Sequence, residues 1–143
     1  MNQKRSHGDT TARSVLIIDD EENIRDVLRE ILKRSGFTVE VAATGDEGVD
    51  YLRKKSFDVV VTDIIMPGKS GIDTIKEIRS QFPDTKIIAI SGGGMFGPTA
   101  YRPAAIRTNA FLAAAIEAGA DFAFTKPFSR QDLISRIHAL ISQ

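Results

Sequence analysis

The chain of 143 residues contains no cysteine, which excludes several ways of stabilising a small protein and of doing chemistry. Without cysteine there is no disulfide framework, no zinc ribbon and no thiol nucleophile. A domain of this length can bury roughly 70% of the surface that its unfolded chain exposes, so a hydrophobic core is enough to stabilise it. The sequence therefore predicts one domain that folds without disulfides or a structural metal.

Neither sign of charge is in excess, and no long hydrophobic run is present. Nineteen Lys and Arg residues balance nineteen Asp and Glu residues, which removes the usual electrostatic argument for a nucleic-acid or membrane binder. No apolar stretch approaches the ~18 residues of a membrane span. The N-terminal segment MNQKRSHGDTTARS lacks the apolar centre of a signal peptide. We therefore expect a cytoplasmic protein whose partners include neither nucleic acid nor a membrane.

Residues 1–14 are polar and carry a local excess of positive charge. They contain three basic residues (Lys4, Arg5 and Arg13) and one acidic residue, Asp9. This composition predicts a disordered tail in front of a folded domain at residues 15–143. A basic arm that contacts a partner is the weaker alternative, because three charges without an aromatic side chain make a poor docking segment.

From Val15 onward, short β-branched runs alternate with segments that have helical spacing. The predicted strands cover residues 15–18, 38–42, 59–61, 87–90 and 122–124. The predicted helices cover residues 46–55, 71–81 and 108–118, a last helix that begins at Ser129, and a first helix with an apolar stripe made of Ile24, Val27, Leu28, Ile31 and Leu32. The strands are too uniformly apolar to leave one face in water, which indicates a parallel sheet covered on both sides. Five βα units are too few for an eightfold barrel, so we predict an open, doubly wound α/β fold.

Polar residues follow four of the predicted strands. They are Asp19, Asp20 and Glu21 after the first, Asp63 after the third, Ser91 after the fourth and Lys126 after the fifth. Because the carboxyl ends of parallel strands lie along one edge of the sheet, these residues are expected to converge there. Acidic residues after strands are also common helix caps, and Asp20 or Glu21 could have that role instead.

The chemistry of this set points to phosphoryl transfer. Clustered carboxylates repel one another and need a cation, and oxygen ligands without His or Cys favour Mg²⁺. Lys126 offers a compact charge for a phosphate oxygen, and Ser91 offers a hydroxyl for another. Metal, lysine, hydroxyl and a carboxylate nucleophile together predict phosphoryl transfer to an aspartate.

Four stretches resemble the receiver domain of two-component response regulators. They are LIIDDEENIRDVL at 16–28, VVVTDIIMPGKSGID at 59–73, IIAISG at 87–92 and GADFAFTKPF at 119–128. The resemblance covers the chain from Val15 onward. It implies a flavodoxin-like fold, with a five-stranded parallel sheet in the order 2-1-3-4-5 and helices on both faces.

The resemblance also implies a role for each site residue. Asp63 would accept a phosphoryl group, in an Mg²⁺-dependent reaction, from the phosphohistidine of a sensor histidine kinase or a histidine phosphotransfer protein. The metal site would comprise Asp20, Asp63, the backbone carbonyl of Ile65, and Asp19 through a metal-bound water. Phosphoryl oxygens would be bound by Ser91, Gly92 and Lys126. Movement of Ser91 would then shift the 91–107 loop and the fourth helix and so alter the binding of a downstream protein.

One departure from the family pattern lies three residues before Lys126. The family usually has Tyr or Phe there as a switch residue, and this chain has Ala123. Phe122 and Phe124 flank that position, but strand alternation directs their rings to the opposite face of the sheet, so neither replaces the missing aromatic. We interpret both phenylalanines as core residues. The usual coupling between a hydroxyl and an aromatic side chain is therefore in question.

The segment after Ser91 is the second departure, because it is about a dozen residues longer than in the family. Four glycines and two prolines between residues 92 and 103 argue against a regular helix there. Met95, Phe96 and Tyr101 are side chains with no obvious core to enter. Two interpretations stand side by side: a loop that couples phosphorylation to partner choice, and a flexible insertion without a specific role.

Several functions fit such a chain, and we expect a signalling switch rather than an enzyme. The first hypothesis is a stand-alone receiver, an adaptor or phosphorelay intermediate that is a monomer or a weak phosphorylation-dependent dimer; a receiver excised from a longer DNA-binding or enzymatic regulator is the alternative. An aspartate-nucleophile phosphatase is disfavoured, because Ile65 occupies the position where an acid/base carboxylate is needed. A dinucleotide-binding module is disfavoured because acidic residues follow the first strand instead of the glycine pattern.

Overall fold

The structure is a computed structural model and describes residues 13–64, 70–91, 110, 112–125 and 128–142. The strands are β1 (Ser14–Ile18), β2 (Thr38–Ala42), β3 (Val59–Asp63), β4 (Lys86–Ser91) and β5 (Phe122–Thr125). The helices are α1 (Glu22–Arg34), α2 (Gly45–Lys54), α3 (Gly71–Gln81), α4, which is described over residues 112–118, and α5 (Arg130–Ile141).

The five strands form one parallel sheet in the order β2-β1-β3-β4-β5. Val15 of β1 pairs with Val39 of β2 on one side and with Val59 of β3 on the other. The three central strands β1, β3 and β4 are almost entirely buried. The predicted doubly wound sheet and its strand order are confirmed.

Strand alternation divides the core into two layers, one on each face of the sheet. Leu16 and Ile18 of β1 point to the layer that contains residues of α2, α3 and α4. Val15 and Ile17 point to the opposite layer, which contains residues of α1 and α5. Each fully buried Leu, Ile or Val contributes about 1.5–3 kcal/mol relative to an exposed position. Burial on both faces is the reason that the central strands carry almost no polar residue before their carboxyl ends.

Three helices begin with a side-chain cap. The hydroxyls of Thr44, Ser70 and Ser129 accept hydrogen bonds from backbone N–H groups in the first turns of α2, α3 and α5. Each such cap is worth about 1 kcal/mol. The predicted start of the last helix at Ser129 is confirmed, and the caps fix where each helix leaves the sheet edge.

Two details differ from the sequence pattern. Ser14, which was expected in the disordered tail, is instead the first residue of β1, because it pairs with Thr38 and its N–H donates to the Asp58 carboxylate. The apolar stripe of α1 does not pack inward along its full width: Leu28 and Leu32 are buried, but Val27 is 56% exposed. Val27 lines an open groove of about 480 Å³ between α1 and α5, because the two helices do not close over each other there.

Candidate functional site

Three aspartates meet at the carboxyl ends of β1 and β3. Asp19 and Asp20 follow β1 and Asp63 ends β3, and β1 and β3 are neighbours in the sheet. One carboxylate oxygen of each aspartate lies within 4.8 Å of the others. Asp19 and Asp63 are buried, at 2% and 8% exposure, whereas Asp20 is exposed. The predicted convergence of these acids is therefore observed.

This donor set fits a hard divalent cation. The ligand atoms are carboxylate oxygens only, which suits Mg²⁺ better than zinc or copper. Three carboxylates at this spacing repel one another unless a cation lies between them. Exposure of Asp20 leaves one side open to solvent, as Mg²⁺ requires because it retains several water ligands. Ile65, which was expected to offer its carbonyl oxygen, lies outside the described residues.

The turn between β1 and α1 shows that its acids do not serve mainly as helix caps. Glu21 occupies the N-cap position of α1, but its side chain caps no N–H group among the described residues. Asp20 precedes that position. The Asp19 carboxylate instead accepts a 2.9 Å hydrogen bond from the backbone N–H of Glu21, which closes the turn around it. Glu21 therefore has the N-cap position without a side-chain cap among the described residues, and the cap role considered for Asp20 stays a prediction.

Ser91 ends β4 next to the acidic cluster. Its neighbour Ile90 pairs in register with Asp63, so Ser91 lies one position beyond Asp63 on the adjacent strand. Ser91 is fully buried, and its hydroxyl has no hydrogen-bond partner among the described residues. An unpaired buried hydroxyl costs about 1–3 kcal/mol, so such groups in native proteins call for an explanation. A hydroxyl kept for a phosphoryl oxygen supplies one.

The remaining predicted site residues are not placed. Gly92, Lys126, and the loop residues Met95, Phe96 and Tyr101 lie outside the described residues. β5 ends at Thr125, which pairs with Ser91, so β4 and β5 end at the same edge of the sheet. The roles expected for these residues stay predictions.

The predicted orientation of β5 is confirmed, but its phenylalanines are less buried than core residues. Ala123 packs against the layer of α2, α3 and α4, whereas Phe122 and Phe124 pack against the opposite layer. Both rings are only half-buried, because β5 is an edge strand with one open side. The Phe122 ring lies 3.9 Å from the guanidinium carbon of Arg136, and Phe124 stacks on Phe128. The interpretation of the two rings as full core residues is corrected accordingly.

The sequence analysis assigned no role to two residues that support the site. Gly71 brings the start of α3 so close to the end of β3 that a Cβ atom there would overlap the backbone of Asp63 and Ile64. Its signal was present in the stretch at 59–73, where Gly71 is the third residue from the end. Arg25 donates a hydrogen bond from its guanidinium to the backbone carbonyl of Asp19. No sequence pattern distinguishes it from the other arginines of α1.

Comparison with known proteins identifies the family of the chain. Residues 15–138 match the family described as response regulator receiver domain. A response regulator receiver domain protein from Clostridium thermocellum is 30% identical with a TM-score of 0.78, covering 91% of this chain and 94% of that one. A CheY-like receiver domain protein from Methanospirillum hungatei is 26% identical with a TM-score of 0.77, covering 92% and 95%. The receiver domain of NtrX from Brucella abortus is 27% identical with a TM-score of 0.76, covering 90% and 98%.

The chain belongs to the response regulator receiver domain family. Receiver domains are phosphorylatable signalling domains of two-component systems; they bind Mg²⁺ at an acidic pocket and interact with histidine kinases or phosphotransfer proteins. Within the part of the chain that is described, no helix is both long enough and apolar enough to cross a membrane.

Proposed function

We propose that this chain is a phosphorylation switch in which Asp63 is the phosphoryl acceptor. The observation that carries the proposal is the position of Asp63. It is buried at the end of β3, between two other aspartates and the end of β4, where the Ser91 hydroxyl has no partner among the described residues. An isolated acid after a strand has many structural uses. Three converging acids beside a buried hydroxyl are better suited to bind a cation and a phosphoryl group.

The chemical step uses the Asp63 carboxylate as a nucleophile. One of its oxygens attacks the phosphorus of a phosphohistidine, the P–N bond breaks, and the imidazole leaves with the electron pair of that bond. Asp19, Asp20 and Asp63 would hold Mg²⁺, with the carbonyl of Ile65 as a further expected ligand. Bound there, Mg²⁺ supplies positive charge that offsets the charge on the phosphoryl oxygens. Burial of Asp19 and Asp63 strengthens these interactions, because water screens them less.

Ser91 links the phosphorylated site to the rest of the fold. Its hydroxyl donates to a phosphoryl oxygen on Asp63, which gives a partner to a buried group that has none in the part of the chain that the structure describes. This hydrogen bond stabilises a position of the end of β4 that is not favoured without the phosphoryl group. Phosphorylation therefore shifts the conformational equilibrium of the segment after Ser91. Lys126 and Gly92 are assigned to the phosphoryl oxygens by family resemblance.

The phosphoryl donor in this proposal is a sensor histidine kinase or a histidine phosphotransfer protein, and the output is a change in protein contacts rather than turnover of a substrate. Ala123 lacks the ring that family members move when the hydroxyl moves. Output therefore passes through the 91–107 loop and the fourth helix. The role of adaptor or phosphorelay intermediate is part of this proposal.

Intact-mass spectrometry after incubation with acetyl phosphate and Mg²⁺ tests the proposal. We expect one phosphoryl adduct on the wild-type chain and none on Asp63→Asn or after removal of Mg²⁺. Asp84→Asn is the matched control, because Asp84 is an exposed aspartate between α3 and β4, away from the carboxyl ends of the strands. An adduct that persists in Asp63→Asn, or that forms equally well without Mg²⁺, would contradict the assignment.

A further inference from the structure

The Arg25 side chain, near the start of α1, binds a backbone carbonyl instead of a nearby glutamate. Two exposed glutamates, Glu21 and Glu22, precede it by four and three residues, the spacings at which helical ion pairs form. Among the described residues, Arg25 forms no ion pair with either of them. Its guanidinium instead donates a 2.8 Å hydrogen bond to the backbone carbonyl of Asp19, six residues earlier. The side chain therefore returns toward the end of β1 and the acidic cluster.

This contact completes the anchoring of Asp19. The backbone N–H of Asp19 donates to the carbonyl of Ala42 in β2, and its carboxylate accepts from the N–H of Glu21. Its carbonyl lies beyond the last paired residue of β1 and is taken by Arg25. The backbone N–H of Arg25 also donates to the carbonyl of Glu21. Arg25 thus contacts both ends of the turn whose tip is the exposed Asp20. The bond to Glu21 is a helical backbone bond that any residue would make, whereas the bond to Asp19 depends on the guanidinium.

We propose that Arg25 is a positioning residue for Mg²⁺ binding, fixing the turn from Asp19 to Glu21 so that both aspartates stay within reach of Asp63. This inference rests on the proposed function, because it presupposes that the three carboxylates bind the metal. Groups that orient metal ligands from behind commonly affect metal affinity by about 10–100-fold. Asp20 depends most on such support, since its exposure leaves it little packing of its own.

The sign of the effect separates positioning from simple electrostatics. Arg25 carries a positive charge next to a site for a cation, so its charge alone weakens Mg²⁺ binding. On electrostatic grounds, removing the guanidinium would tighten binding. Loss of positioning does the opposite, because the aspartates then sample arrangements in which their oxygens no longer meet. Weaker binding after removal of a positive charge is thus a signature of positioning.

The test is an NMR titration of amide chemical shifts with Mg²⁺ in the full chain. We expect Arg25→Ala to raise the Kd for Mg²⁺ about tenfold. Arg29→Ala is the matched control, because it removes the same charge four residues further along α1. Among the described residues, Arg29 forms an ion pair with Asp26 and not a contact with the Asp19–Glu21 turn. Arg29→Ala should bind Mg²⁺ as the wild type does or slightly more tightly. Thermal unfolding without Mg²⁺ is measured alongside.

An unchanged or lower Kd in Arg25→Ala would overturn the inference, and a lower Tm with an unchanged Kd would show that Arg25 contributes to stability only. A wild-type chain that does not bind Mg²⁺ would overturn the proposed function itself, which keeps the two failures distinct. Should Arg25→Ala fail to fold, Arg25→Gln decides in its place, since its shorter neutral side chain cannot reproduce the contact. Weaker Mg²⁺ binding by Arg25→Gln supports positioning, and equal or tighter binding overturns it.

Discussion

The backbone N–H of Gly71 donates a 2.8 Å hydrogen bond to the carbonyl oxygen of Ile64, and this bond joins the start of α3 to the end of β3. The approach is so close that a Cβ atom at position 71 would overlap the backbone of both Asp63 and Ile64. The backbone at Asp63 and Ile64 is therefore held by a helix that begins directly against it. This explains why glycine is required at this position of the sequence.

Gly71→Ala is expected to reduce both stability and phosphorylation. Backbone displacement of this kind costs about 1–3 kcal/mol, and here it acts on Asp63, the proposed phosphoryl acceptor. Urea unfolding and the rate of acetyl-phosphate labelling measure the two effects. Gly36→Ala is the control: Gly36 has a positive φ of 97° and open space around it, far along the chain from the cluster. Gly36→Ala should lose stability and keep the labelling rate of the wild type. An unchanged labelling rate in Gly71→Ala would contradict the account.

Removal of the Ser91 hydroxyl should leave the unphosphorylated protein as stable as before or more stable. Its oxygen is buried without a partner among the described residues, so Ser91→Ala removes a desolvation penalty and gains up to about 1 kcal/mol. Ser70→Ala is the matched serine variant, because Ser70 caps α3 and its loss costs about 1 kcal/mol. Urea unfolding of both variants measures the difference. If Ser91→Ala lowered the free energy of unfolding as much as Ser70→Ala, the Ser91 hydroxyl would have to be hydrogen-bonded in the folded protein.

Arg79 holds the end of the sheet opposite the site together. Its guanidinium donates to the carbonyls of Gly119, Pro83 and Thr85 and pairs at 2.8 Å with Asp121. We expect Arg79→Ala to lower the free energy of unfolding by about 3 kcal/mol, since several charge-assisted hydrogen bonds are lost at once.

Arg53→Ala is the control for Arg79. Arg53 pairs with Asp50 and Glu77 from a more exposed position, and exposed pairs contribute roughly 0–1 kcal/mol. Equal losses in the two variants, measured by urea unfolding, would show that the Arg79 contacts are as weak as an ordinary surface pair.

The effect of Asp20→Asn on the Tm should change sign when Mg²⁺ is added. Without divalent ions, the variant is expected to melt above the wild type, because one of three mutually repelling carboxylates has become neutral. With saturating Mg²⁺ the wild type should melt higher, because it binds the cation more tightly. Asp84→Asn, in an exposed loop between α3 and β4, should show no such reversal. The same order of Tm values with and without Mg²⁺ would argue against a metal site at these aspartates.

The layered fold could be predicted because its strands are short, β-branched and apolar on both faces. Such strands are stable only when helices cover both faces of the sheet. The acidic cluster followed from topology, since Asp19 and Asp63 end neighbouring parallel strands. Val27 was misjudged because helical spacing gives the direction of a stripe but not the width that a neighbouring helix covers. The contacts of Arg25 and Arg79 were not predicted, because a long side chain that reaches a backbone carbonyl leaves no periodic pattern.

Chemical mapping of the phosphorylated residue tests the central claim most directly. Borohydride reduces an acyl phosphate on aspartate to the alcohol of homoserine, and peptide sequencing by mass spectrometry then locates it. The account predicts homoserine at Asp63 alone, although Asp19 and Asp20 lie within 4.8 Å of it. Homoserine at Asp19 or Asp20 in the wild-type chain would contradict the assignment of Asp63 as the acceptor.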